Sequence, residues 1–246
     1  VPRCSTSQGE VYYEVAGSGA PLCLLHADGS SGAEFAPVIP RLAENHQVIV
    51  VDSPGCGRSA RRAFSYDYYK ENAKAAVEVI KKTTSVPAGV IGTGGGAAVA
   101  LWMAILDPSR LRGVVADSFV EFYQPDDVRK DLAAHQAPTE EMISFWREMN
   151  GEDWPEIIRQ LDRVVAAMAE QKRSVFNWRL EEVKCPVLVT GSRRDHLLSD
   201  LGSRLQEIAK QMPQARLVLY EEGGHPAMWS QAEKFWQDAL EFLGNL

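Results

Sequence analysis

Long apolar runs are missing from this chain: no stretch approaches the roughly 18 residues that a membrane span needs, so no membrane partner is expected. Basic residues are in deficit, with 26 Lys and Arg against 33 Asp and Glu and a formal net charge of −7. Nucleic-acid binders concentrate Lys and Arg against phosphates, so that class of partner is disfavoured. The short basic runs, Arg61-Arg62, Lys81-Lys82 and Arg193-Arg194, are only pairs and suit solvated faces. Cysteine is scarce. Cys4, Cys23, Cys56 and Cys185 show no CxxC spacing, which argues against a disulfide framework or a zinc site. Cys23 lies in an apolar run and Cys185 just before one, as inert buried thiols do. The opening Val-Pro-Arg-Cys-Ser carries no apolar h-region of a secretory signal, so a cytoplasmic location is expected.

What is present is the pattern of an α/β protein. The 246 residues suit one large domain, or a core carrying one insertion. Short apolar strands are expected at Val11–Ala16, Pro21–His26, Gln47–Asp52, Val90–Thr93, Arg112–Asp117, Pro186–Thr190 and Arg216–Tyr220. Helices are expected at Ala33–Glu44, from Ser65 to about Thr83, and over Ala97–Leu106, Leu201–Gln211 and Ser230–Leu243. Strand–helix alternation of this kind predicts a mostly parallel central sheet with helices on both faces. Residues 121–180 break the rhythm, having no strand-like run and many aromatic and methionine residues. They read as a helical insertion over a core formed by residues 1–120 and 181–246, since strands of one sheet flank them.

One further absence is local. Gly89-Val-Ile-Gly-Thr-Gly-Gly-Gly96 runs from a strand into a small-residue helix, the layout of the G-x-S-x-G nucleophile elbow. Gly92 and Gly96 hold the flanking glycine positions, and the nucleophile position between them is Gly94. Glycine tolerates the positive φ of such a turn without a Cβ penalty, so the turn is expected to survive while the hydroxyl is gone.

Four further signals keep order around it: His26-Ala-Asp-Gly29 after one strand, Asp52-Ser-Pro-Gly-Cys-Gly-Arg-Ser59 after the next, Gly191-Ser-Arg-Arg-Asp195 and Gly223-Gly-His-Pro226 after the last two. Together with the elbow, they resemble the α/β-hydrolase superfamily over nearly the whole chain. The resemblance implies an α/β-hydrolase fold with a helical cap at 121–180 and a triad in the chain order elbow, acid, histidine. It makes His225 the base and Asp195 its orienting acid, with Asp117 the runner-up acid. The N–H groups of Ala27 and Gly95 would form the oxyanion hole. It also implies esterase, lactonase, carbon–carbon hydrolase or lyase chemistry, with no metal and no organic cofactor.

Three functional readings stay open on the sequence. One is a serine hydrolase inactivated by Gly94, whose substrate is a small, largely apolar ester, lactone or related carbonyl compound. Another is a natural nucleophile-less enzyme using His225 and Asp195 for acid–base or water-activating chemistry. The third is a non-catalytic small-molecule receptor. Substrate contacts are expected from Asp28, Phe119, Phe145, Trp146 and Met228, with Trp229 near the mouth. Cys56 and Ser118 are candidates for a displaced nucleophile, and His26 for shaping the oxyanion loop. His46 and His135 read as surface residues.

Overall fold

Eight strands build the molecule, as seen in a computed structural model that describes residues 2–246. They are β1 (Arg3–Thr6), β2 (Gly9–Ala16), β3 (Ala20–Leu25), β4 (His46–Val51), β5 (Ala88–Thr93), β6 (Leu111–Asp117), β7 (Val187–Ser192) and β8 (Ala215–Tyr220). The sheet order is β1-β2-β4-β3-β5-β6-β7-β8, with β1 and β2 antiparallel and β4 onward parallel. Strands β5 and β7 are buried along their whole length, which is why they read as continuous apolar runs rather than alternating ones. Strand β1 was not expected; its Arg-Cys-Ser-Thr has too little apolar character to announce an edge strand.

The helices are α1 (Ile39–Leu42), α2 (Tyr68–Thr83), α3 (Gly95–Leu106), α4 (Pro125–Gln136), α5 (Glu140–Asn150), α6 (Trp154–Glu170), α7 (Leu201–Gln211), α8 (Ala227–Ser230) and α9 (Ala232–Gly244). The helix expected over Ala33–Glu44 is instead a 3-10 turn, Gly32–Phe35, followed by the four-residue α1. Pro37 and Pro40 lie in that interval, and proline inside a helix removes a hydrogen bond and clashes with the preceding turn. The helix expected over Ser230–Leu243 is α9, and the short α8 precedes it, separated by Gln231. Two apolar cores flank the sheet. One holds α2, α3 and α7 with Trp102 and Tyr69 fully buried, and the other packs Phe235, Trp236 and Leu243 of α9 against β3, β4 and β6.

Helices α4, α5 and α6 all fall between β6 and β7 and lie over the carboxyl ends of the strands. Buried polar contacts fasten them there. The Asn150 side chain accepts from the Gly57 N–H and donates to the Gly29 carbonyl, both at 2.8 Å. Asp127 pairs with Arg204 of α7 at 3.1 Å. Strand β3 is flanked by β4, which follows it in sequence, and by β5, so the order reverses there. Crevices at such switch points, outside the carboxyl ends of strands, are where open α/β sheets bind ligands.

Candidate active site

The loops leaving β3 and β5 meet at that crevice. Gly94 follows β5 directly, with φ +53° and ψ −120°, and is the N-cap of α3. Its N–H donates to the Asp117 carbonyl at 2.9 Å, which ties the turn to the end of β6. A Cβ built at Gly94 would meet only Ala27, at 3.7 Å from its Cβ. The turn is therefore a formed elbow with room for a side chain.

His225 and Asp195 come together across the loops that follow β8 and β7. His225 Nδ1 lies 2.8 Å from Asp195 Oδ2, while the Leu197 and Leu198 N–H groups donate to Asp195 Oδ1 at 3.0 and 2.8 Å. Burial alone would raise the Asp195 carboxyl, but its hydrogen bond to His225, the charge of that ring and the two backbone donors outweigh it and hold it below the usual carboxylate range. The dyad leaves Nε2 as the ring nitrogen of His225 with no protein partner among the described residues. His225 and Gly94 line one cavity of about 870 Å³ beneath α4–α6, a size that suits a small organic molecule.

Asp117, the alternative acid, does not pair with His225. It accepts from Thr93, Thr190 and the Met228 N–H at 3.0, 2.7 and 2.9 Å, lacing β5, β6 and β7 to α8. Cys56 is fully buried against the Tyr68 hydroxyl, and burial pushes its thiol up to about 12, so it is no nucleophile at neutral pH. The Ser118 hydroxyl oxygen accepts from the Ala227 N–H at 2.9 Å. His26 is buried with Nδ1 2.8 Å from the Ala27 carbonyl, while its Nε2 accepts from the Ser53 N–H at 2.9 Å. The ring is thus the Nδ1–H tautomer, and burial keeps it neutral by lowering its affinity for a proton. It braces the loop after β3 with its side chain as well as its backbone.

That loop departs from the expected oxyanion hole. The Ala27 N–H is not free: it donates to Glu34 Oε1 at 3.1 Å. Burial pushes the Glu34 carboxyl up to about 7. Beside it, the Asp28 carboxylate fills the space that a side chain on Gly95 would need. Two carboxyl groups therefore stand beside the two N–H groups of the expected oxyanion hole, Glu34 on Ala27 and Asp28 against Gly95. Sequence position alone could not show this, because Glu34 reaches Ala27 through the 3-10 turn.

Phe119, Phe145 and Trp146, three of the residues expected to touch substrate, line the cavity. Met228 does not; it is fully buried in the core beside α9, and its neighbour Trp229 takes the place at the cavity wall. His135 is not a surface residue either. It lines the cavity from α4, 2.7 Å from Asp162 and 3.3 Å from Asp131, with Trp146 edge-on at 5.2 Å. Burial pulls its basicity down, but the two aspartates outweigh that and push it up to about 9. His196 is exposed, yet its Nδ1 accepts from the His225 N–H at 3.3 Å. Among the described residues no group of three or more His, Cys, Asp or Glu is disposed to hold a metal ion, and no helix is long and apolar enough to cross a membrane.

The model of the Alpha/beta hydrolase family matches residues 24–238, which span both halves of the sheet and the helices between them. The chain belongs to the alpha/beta hydrolase family. A putative carbamate hydrolase, RutD, from Azorhizobium caulinodans is 23% identical over 278 residues, covering 100% of this chain and 99% of that protein. A 2-hydroxy-6-oxononadienedioate/2-hydroxy-6-oxononatrienedioate hydrolase from Dechloromonas aromatica is 24% identical, covering 95% and 90%. The solved enol-lactonase from Burkholderia xenovorans LB400 superposes with a TM-score of 0.75 at 16% identity, covering 99% and 100% of the two chains. This hydrolase-family chain thus matches the first two proteins over nearly their whole length and shares the fold of the third, while its elbow carries Gly94.

Proposed function

We propose that this chain is an enzyme of its family that acts on a small, largely apolar ester, lactone or related carbonyl compound without forming a covalent enzyme intermediate. The observation that carries the reading is the combination at the cavity floor. The His225–Asp195 dyad is intact at 2.8 Å, whereas the Ala27 N–H is taken by Glu34 and Gly94 has no nucleophile. A site built for an acyl-enzyme needs donors aimed at the developing oxyanion. Here carboxyl groups occupy that neighbourhood, which suits proton transfer better than oxyanion capture.

In this reading His225 Nε2 takes a proton from a water molecule that attacks the substrate carbonyl, and Asp195 stabilises the resulting imidazolium. Helices α4–α6 act as the cap that keeps bulk water out. The wall supports a neutral or cationic substrate. Six carboxylate side chains and two histidines line the cavity, with no lysine or arginine among them. A dicarboxylate such as the one in the Dechloromonas relative's name would meet only the imidazolium of His135, which Asp131 and Asp162 already pair.

One observation favours a second reading, a disabled serine hydrolase. The Gly94 turn has room for a hydroxymethyl group, with Ala27 Cβ at 3.7 Å from the position of a Cβ. Hydrolysis of a short-chain aryl ester panel by the chain, by Gly94→Ser and by His225→Ala separates the two. We expect His225-dependent turnover in the unaltered chain, changed by no more than about tenfold in Gly94→Ser. A gain of a thousandfold or more in Gly94→Ser, from a silent starting chain, establishes the disabled hydrolase instead, since loss of such a nucleophile costs roughly a millionfold.

A further inference from the structure

The dyad leaves one acid of the cavity floor without a role. Asp28 leaves the end of β3, lines the cavity with Gly94 and His225, and sets its carboxylate against Gly95. The Tyr69 hydroxyl of α2 donates to Asp28 Oδ2 at 2.7 Å, and the Tyr123 hydroxyl lies 2.5 Å from that of Tyr69. Tyr69 has one proton to give and gives it to Asp28, so Tyr123 donates to Tyr69. This chain of hydroxyls fixes the orientation of the carboxyl group and leaves Oδ1 with no hydrogen-bond partner among the described residues.

The surroundings hold no lysine or arginine to ionise it. The titratable groups around Asp28 are Glu34 of the 3-10 turn, Cys56 of the loop after β4, Tyr68 and Tyr69 of α2, Tyr123 after β6, Asp131 of α4 and His225 after β8. None is a lysine or arginine. Burial pushes the carboxyl up to about 6; the Tyr69 hydrogen bond and His225 oppose the rise, and the charge of Asp131 adds to it. A carboxylic acid that holds its proton up to about pH 6 can, below that pH, donate a hydrogen bond or a proton to a substrate oxygen.

We propose that Asp28 is a catalytic acid of this site, giving its proton through Oδ1 to the substrate carbonyl oxygen while His225 takes one from water. The proposal rests on the nucleophile-free reading above. Water oxygen bonds to the carbonyl carbon, the C=O π pair moves to oxygen and receives the Asp28 proton, and a neutral gem-diol forms. On collapse the Asp28 carboxylate recovers a hydroxyl proton, the bond to the leaving oxygen breaks, and the His225 imidazolium protonates that oxygen. One water is consumed, and both residues return to their starting protonation states. Asp28 thereby replaces the N–H that Glu34 has taken from Ala27, and Tyr69 and Tyr123 are its positioning residues.

The test is the pH dependence of 4-nitrophenyl acetate and 4-nitrophenyl butyrate hydrolysis between pH 5 and 9, by the full chain and by Asp28→Asn, Tyr123→Phe and His225→Ala. Circular dichroism would verify the fold of each. In the unaltered chain kcat should decline above about pH 6 as Asp28 loses its proton. Asp28→Asn should lower kcat at pH 6 by ten- to a hundredfold with KM within about twofold, and abolish that decline. Tyr123→Phe should shift the midpoint of the decline and lower kcat by less than Asp28→Asn does. An Asp28→Asn chain with unchanged kcat and unchanged pH profile, while His225→Ala remains inactive, overturns the role of Asp28 alone. Turnover that survives His225→Ala, or no turnover in the unaltered chain, overturns the acid–base reading beneath it.

Discussion

A single carboxyl group shows how function and stability pull apart at the scale of a residue. Asp28 is harder to ionise folded than unfolded, because burial pushes it up to about 6. An acid whose folded value is raised binds its proton more tightly in the native state. Stability therefore falls as pH rises from about 4 through 6, and the whole penalty is in place at pH 7. Asp28→Asn removes the charge while keeping the shape. We expect it to stabilise the chain by about 3 kcal/mol at pH 7 and by only about 0.5 kcal/mol at pH 4, read from urea unfolding at the two pH values. A gain of the same size at both would mean that ionisation of Asp28 is not what strains the site. Gly94 shows the opposite balance: φ +53° suits glycine, so the Gly94→Ser side chain has room but carries a backbone cost of about 1 to 3 kcal/mol.

Among the elements, α4 and α6 are joined by a charge that the rest of the molecule does not supply. His135 of α4 holds Asp162 of α6 at 2.7 Å and Asp131 of its own helix at 3.3 Å, which raises it to about 9. A base raised on folding contributes its full stability below its unfolded value near 6.5 and loses it as pH climbs through 9. The group is only partly shielded, so screening reduces the contribution to about 1 kcal/mol. Thermal melts should accordingly fall by about 2 to 4 °C between pH 6.5 and 9, beyond any drop seen in His135→Gln. A variant that shows the same decline would place the pH sensitivity elsewhere. The two helices border the cavity, so the same titration is expected to loosen its roof before the sheet melts.

Charge sorts the whole molecule into a negative surface and a more negative cleft. The net charge is −7, and the cavity is walled by carboxylates and aromatic rings without a lysine or arginine. Such a wall attracts cations through the carboxylates and the faces of Tyr123 and Trp146. Benzyltrimethylammonium should therefore quench tryptophan fluorescence with a Kd at least about tenfold below that of phenylacetate, a margin of about 1.4 kcal/mol. Raised salt should narrow the gap. Equal or tighter binding of phenylacetate would show that an anion finds a donor here and would reverse the substrate class.

Much of this molecule is written in local patterns. Apolar runs such as Gln47–Asp52 and Val90–Thr93 declare buried parallel strands, because a strand covered on both faces has no polar side to alternate with. Glycines at 92, 94 and 96 mark the elbow by their spacing, and Asp195 and His225 stand out because each follows a strand in the chain order that the elbow requires. The break within Ala33–Glu44 is marked in the sequence too, by Pro37 and Pro40, since proline removes a helix hydrogen bond. What the sequence could not determine is set by contacts between distant segments. That Glu34 takes the Ala27 N–H, that Asp28 fills the space beside Gly95, that Met228 turns into the core while Trp229 faces the cavity, and that His135 is a cavity residue all depend on how loops from different strands pack. Periodicity assigns a residue to a face. Only the packed fold decides which buried oxygen finds a donor there and which is left to act on a substrate.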